Sequence, residues 1–220
     1  MKKINRFHRN ELLFGEENFR KFENFKIILF GVGGVGSFAL DCLYRTGFKN
    51  ITIVDFDTYD ETNRNRQIGS DGNIGEIKVK TLQKIYPEIK TIFEKVSSEW
   101  VSNFDFSEFD LVLDAIDDSL VKVFLAKKVS EKLISSMGSG QQSDSTQIKV
   151  VSIWDTENDP FARKIRKSLR RNGFDGDYPV VFSLAERRGD FQGSFIGVTG
   201  SFGLTLCSEA VKYAEKMELD

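Results

Sequence analysis

The hexapeptide GVGGVG, Gly31 to Gly36, follows directly on the apolar run KIILF at residues 26–30. An apolar run that meets a glycine cluster without polar alternation has the pattern of a strand buried on both faces and entering a tight turn. Apolar residues then recur at Phe38, Leu40, Leu43 and Tyr44 and stop before Gly47, which predicts a helix over residues 36–45. ITIVD, Ile51 to Asp55, reads as a second strand. Strand, glycine turn, helix and strand within about 30 residues make a βαβ unit. Its presence commits the chain to a Rossmann-like, doubly wound and mostly parallel α/β sheet with helices on both faces.

The turn satisfies G-x-G-x-x-G, and Asp55 falls 19 residues after Gly36, at the end of the second strand. Both conditions of a nucleotide-binding turn are therefore met. Gly31 makes the turn, Gly33 lets a phosphate approach the backbone, and Gly36 lets the helix pack closely, with its N-terminal amides facing the anion. Asp55 is placed to accept from ribose hydroxyls. Up to this residue an NAD enzyme would read the same way.

Beyond it, residues 58–75 are polar, turn-rich and without a period, long enough to expect function in them. Residues 75–86 form an amphipathic helix stopped by Pro87. TIFEKV, DLVLDAI (Asp110 to Ile116), LISSM, QIKVVSIW and PVVFS read as strands. Helices are expected across 119–131, from Pro160 to Arg171, and from near Thr199 onward. The 220 residues suit one domain. We expect residues 1–25 to form a helical rim, and 141–220 a less regular C-terminal extension carrying the helix 160–171. The twenty phenylalanines are read as packing alone.

With two cysteines, Cys42 and Cys207, neither a structural zinc site nor a disulfide framework is expected. Both are read as core residues of a cytoplasmic, reducing compartment. The basic N-terminus lacks an apolar stretch behind it. The longest uncharged run, residues 191–208, is too rich in Gly, Ser and Thr for a membrane span. His8, the single histidine, is read as a surface or packing residue, Trp100 and Trp154 as core, and Ser135, Ser136 and Ser139 as turn formers beside the cleft.

A hydride-transfer site has no use for a dense cationic loop next to the phosphates. TNRNRQ at residues 62–67 is such a loop, Lys78 follows, and Asp117 and Asp118 stand at the carboxyl end of DLVLDAI. Ligands of an open parallel sheet bind at that end. Cations there would stabilise a triphosphate and its leaving pyrophosphate, and a carboxylate could hold Mg²⁺.

GVGGVGS, DFD at 55–57, TNRNRQ, GEIKVK and DAIDD, in this order, resemble the adenylating domain of ubiquitin-activating-type enzymes over roughly residues 6–140. The resemblance implies ATP, Mg²⁺ and a homodimer. It assigns Gly31, Gly33, Gly34, Gly36, Asp55, Asp57, Asn63, Arg66, Lys78, Asp117 and Asp118 to ATP. Asp55 would hold the ribose, Asn63 and Arg66 the phosphates, Lys78 the triphosphate, and Asp117 the metal. Arg9, in RFHR, would reach the partner subunit's ATP site. Arg9, Arg66, Lys78 and Asp117 form the implied catalytic set. Paired CxxC zinc motifs and a thioester cysteine are absent.

SSMGSG at 135–140, the stretch from Thr146 to Arg171, and PVVFS are similar to the branch of that family that dehydrates threonylcarbamoyladenosine in tRNA. That implies an ATP-dependent enzyme that adenylates the nucleoside's carboxylate and closes it to the cyclic form. The alternatives are an adenylyltransferase acting on the C-terminus of a ubiquitin-like sulfur carrier, and a nucleotide-sensing module without turnover. A sulfur-transfer protein partner also stays open.

Independently of any resemblance, six of the nine residues from 163 to 171 are basic: Arg163, Lys164, Arg166, Lys167, Arg170 and Arg171. Like charges at such spacing repel. Six cations inside a net charge of −2 leave −8 on the rest, so the positive patch is local. The phosphates of a tRNA are the counter-charge it fits.

Overall fold

The computed structural model describes residues 4–189 and 193–217. The start of the basic N-terminus and residues 191–192 of the uncharged run lie outside them. Seven strands form one sheet in the order β3-β2-β1-β4-β5-β7-β6. These are β1 (Lys26–Phe30), β2 (Asn50–Val54), β3 (Lys90–Ile92), β4 (Leu111–Asp114), β5 (Leu133–Ser136), β6 (Ile148–Ser152) and β7 (Pro179–Ser183). All neighbours are parallel except β6 and β7. The helices are α1 (His8–Asn24), α2 (Gly36–Thr46), α3 (Lys78–Ile85), α4 (Ser98–Asn103), α5 (Ser119–Val129), α6 (Pro160–Arg171) and α7 (Ile196–Lys216).

The doubly wound sheet is the expected fold, and the two apolar faces of its strands explain it. Ile27 and Leu29 point into one core with α2, α3 and α7, whereas Ile28 and Phe30 point into a second core with α5 and α6. This is the period of two read off a strand that is covered on both sides. Residues 148–152 and 179–183 add the last two strands to the same sheet. Two features have no counterpart in the sequence pattern: α4, and the break in α1 at Gly15, whose φ is +80°. Phe22, Phe25 and Phe48 pack ring against ring where α1 covers the sheet.

The cysteines correct the sequence reading. Cys42 on α2 and Cys207 on α7 are joined as a disulfide, with Cα atoms 6.0 Å apart. They are 165 residues apart in sequence, so only the packing of the last helix on the first βαβ unit reveals the pair. Gly203 makes that approach close: a Cβ there would run into the backbone of Val35 and Ala39. Among the described residues no helix is long and apolar enough to cross a membrane.

Candidate active site

The chain leaves β1 toward β2 on one side, and β4 lies on the other. The strand order therefore reverses between β1 and β4, and a crevice opens at their carboxyl ends. Gly31 ends β1 there with φ +79°, and a Cβ would stand 2.9 Å from the Ala115 carbonyl oxygen at the end of β4. No side chain caps the start of α2; the Ser37 amide donates back to the Gly33 carbonyl at 3.0 Å, and uncapped amides at a helix start are where an anion is received. A Cβ on Gly36 would overlap the Gly31 carbonyl oxygen.

The cavity at this point encloses about 700 Å³, within the range of small-molecule sites. It brings together Gly31, Gly33, Gly34, Asp55, Asp57, Arg66, Lys78, Asp117 and Asp118 from five separate stretches of sequence. Asp55 is nearly buried; its carboxylate accepts from the amides of Val32 and Asp57, both at 2.8 Å. It thus ties the glycine turn to the DFD loop. Lys78 is buried to 5% exposure and pairs with Asp57 at 2.9 Å. The stem of Arg66 lies across Gly34, and its guanidinium donates to the Thr62 carbonyl and to Asn65 Oδ1. Asp118 caps α5 through the amides of Leu120 and Val121.

The loop that carries Arg66 is held from below. Asp60 caps its 3₁₀ turn, and the bonds it accepts from Thr62 hold its carboxyl below the usual range. Tyr59 donates to the Ile68 carbonyl at 2.7 Å, and burial, then the charge of Asp55, pushes its phenol up.

Four expected residues sit elsewhere. Gly36 is buried at the start of α2 against the Gly31 carbonyl and does not line the cavity. Asn63 is buried within its own turn, bonded to Asp60 and Thr62, and does not line the cavity. Arg9 is exposed on α1, away from the cavity. On α6, Arg166 turns inward to Thr156, and burial, then Arg170 and Arg163, lowers its pKa. Arg163, Lys164, Lys167, Arg170 and Arg171 stay exposed. Among the described residues no group of three His, Cys, Asp or Glu could hold a metal. Asp117 lines the cavity, and a single carboxylate used together with phosphate oxygens is the usual provision for Mg²⁺.

Other residues at the site carried no sequence signal. Lys122 and Asp114 form a fully buried ion pair at 2.9 Å, and Lys122 also donates to Ser135 Oγ and the Ser136 carbonyl. Asp114 accepts from the Ile116 amide. The pair thereby fastens together the loops that follow β4 and β5, which carry Asp117 and Met137 to Gln141 into the cavity. Lys122 reads as one more lysine on a helix face until β5 is known to lie beside β4. Arg187, Phe161, Lys95 and Thr199 line the same cavity.

Fold and site together define a nucleotide-dependent enzyme of the adenylating type. The chain belongs to the ThiF family, which it matches over residues 7–218. It is 36% identical over 190 residues to the tRNA threonylcarbamoyladenosine dehydratase of Bacillus subtilis, covering 82% of this chain and 75% of that one. To the enzyme of the same name from Escherichia coli it is 34% identical over 186 residues, covering 80% and 68%. The solved structure of the E. coli enzyme in complex with ATP superposes with a TM-score of 0.88 at 31% identity, covering 95% of this chain and 93% of that one.

Proposed function

We propose that this chain is an ATP-dependent tRNA threonylcarbamoyladenosine dehydratase. The observation that carries the reading is a single cavity that joins the glycine turn, Arg66, Lys78 and Asp117 to the loop 136–141, in a chain whose relatives bear that name along most of their length. A carboxylate oxygen of the threonyl group attacks the α-phosphorus of ATP, forming an acyl–phosphate bond while pyrophosphate leaves. A heteroatom of the carbamoyl group on the same nucleoside then attacks the acyl carbon and gives up its proton to solvent, the acyl–oxygen bond breaks, AMP leaves with the carboxylate oxygen, and the nucleoside has lost the elements of one water. Hydroxide, a poor leaving group, has become AMP.

The chain's own residues position and neutralise. The start of α2 and Arg66 receive phosphates; Lys78, paired with Asp57 at 2.9 Å, faces the leaving pyrophosphate; Asp55 orients the ribose. Mg²⁺ bound by Asp117 would supply further charge neutralisation. Arg9, remote from its own cavity, reaches the partner's in a homodimer. The exposed cations of α6 meet tRNA phosphates, and a tRNA substrate suits a cytoplasmic protein, whose disulfide would face a reducing poise. The test is mass spectrometry of nucleosides from threonylcarbamoyladenosine-bearing tRNA incubated with the protein, ATP and Mg²⁺. The nucleoside should lose the mass of one water; its survival intact, with ATP shown to bind, rejects the assignment. ATP consumption driven instead by a ubiquitin-like sulfur carrier would favour the alternative substrate.

A further inference from the structure

We infer that Arg187 is the specificity-determining residue of the cleft and that its guanidinium receives the carboxylate of the group to be activated. The inference rests on the dehydratase reading and names the side chain that recognises that substrate. The cations of the cavity fall into two sets. Arg66, Lys78 and Lys95 accompany the DFD loop and the glycine turn on the nucleotide side. Past Asp117, the wall is Ser136 to Gln141, Phe161, Gly193 and Ser194, and Arg187 is its one cation among the described lining residues. A carboxylate entering a cavity that also holds Asp55, Asp57, Glu94, Asp117 and Asp118 meets repulsion unless a positive group receives it. The planar fork of an arginine fits a carboxylate with two parallel bonds.

Arg187 is built into this place. Its Nη2 lies 3.2 Å from Asp159 Oδ1, and its Nη1 donates to Gln141 Oε1 at 3.1 Å. Asp159 is 1% exposed in its side chain, against 30% for Arg187, so the acid anchors the base from beneath while the base still faces the cavity. Asp159 is in turn fixed by the amides of Gly138, Phe161 and Ala162. A Cβ on Gly138 would stand 3.0 Å from Arg187 Nη2, so the absent side chain gives the guanidinium its berth. Asp159 is also the N-cap of α6. One carboxylate therefore joins the basic helix to the arginine that reads the substrate.

The experiment compares Arg187→Ala, Arg187→Lys and the unaltered full chain. Each is titrated with ATP, with an anticodon stem-loop bearing threonylcarbamoyladenosine, and with the same RNA lacking the threonylcarbamoyl group. Arg187→Ala should weaken the modified RNA by on the order of tenfold to a hundredfold, raise its KM more than it lowers kcat, and leave ATP and unmodified RNA unchanged. Arg187→Lys should recover part of the loss. Equal weakening of both RNAs would mean that Arg187 binds a backbone phosphate, and unchanged affinity for the modified RNA would mean that it binds neither; both overturn the inference. If Arg187→Ala no longer binds ATP, Gly138→Ala, which crowds the guanidinium without removing it, must give the selective loss, or the inference fails. Unaltered protein that leaves the modified nucleoside unconverted defeats the dehydratase reading; conversion with an unchanged KM in Arg187→Ala defeats this inference alone.

Discussion

On the Gly31 side of the cleft the backbone does the holding, and on the Arg187 side the side chains do. The nucleotide side is a turn and a helix start, with a buried Asp55 bonding two amides of neighbouring loops. The substrate side is assembled from Lys122, Asp114, Asp159, Gln141 and Arg187, whose mutual bonds reach across 8 to 46 residues of chain. A phosphate is common to many ligands and can be met by amides at a fixed turn. A particular acyl substrate needs groups at chosen positions, and these come from the ends of several strands. Variants on the two sides should therefore fail in different ways.

The largest effect is expected at the turn. In Gly36→Ala the new methyl would overlap a backbone oxygen, Gly31 O, rather than a side chain that can yield. ATP affinity should fall roughly a hundredfold or more, or the chain should fail to fold. Calorimetric titration giving an unaltered Kd would remove the backbone from its assigned role.

Next comes the buried pair. Lys122→Met leaves Asp114 without its cation at zero exposure, and breaking such a buried pair costs about 3–5 kcal/mol. Pairing it with Asp114→Leu should recover most of that loss in urea unfolding. A single variant within about 1 kcal/mol of the parent would show the pair to be unimportant to the fold.

Reducing the Cys42–Cys207 bond releases a 165-residue loop and should lower stability by about 2–4 kcal/mol. Equal unfolding midpoints for oxidised and reduced protein would mean that the packing of α2 on α7 suffices alone. The smallest effect belongs to the exposed face of α6. Lys164→Glu with Lys167→Glu should weaken tRNA roughly tenfold at physiological salt and flatten the slope of its salt dependence by about one for each phosphate no longer neutralised, with ATP affinity unchanged. Parallel falls in ATP and tRNA affinity would place this helix at the nucleotide instead. Arg166 is left intact because it holds Thr156.

The same division explains what could be read from the sequence. The turn from Gly31 to Gly36 and Asp55 are legible because one βαβ unit fixes their spacing, and Asp117 because it stands at the carboxyl end of a strand, where an open parallel sheet binds its ligands; Lys78 shows only through the motif GEIKVK. Helix α6 was legible because its charge is concentrated in nine consecutive positions. Lys122, Asp159 and Arg187 give no signal: Lys122 is an ordinary lysine until β5 is placed beside β4, and Asp159 and Arg187 are ordinary charges until β7 is placed beside β5. The disulfide stayed hidden for the same reason, since nothing within α2 or α7 reveals their packing. Arg166 misled because charge on a helix shows nothing of which face is turned inward.

The most direct test of the account is the stoichiometry of ATP use. The joined cleft predicts that AMP and pyrophosphate appear only when threonylcarbamoyladenosine-bearing tRNA is present, one of each for every nucleoside cyclised. Quantifying AMP, pyrophosphate and the cyclised nucleoside in one reaction decides it. ADP and phosphate as products, or AMP formed equally with unmodified tRNA, would contradict the claim that one cavity activates this carboxylate.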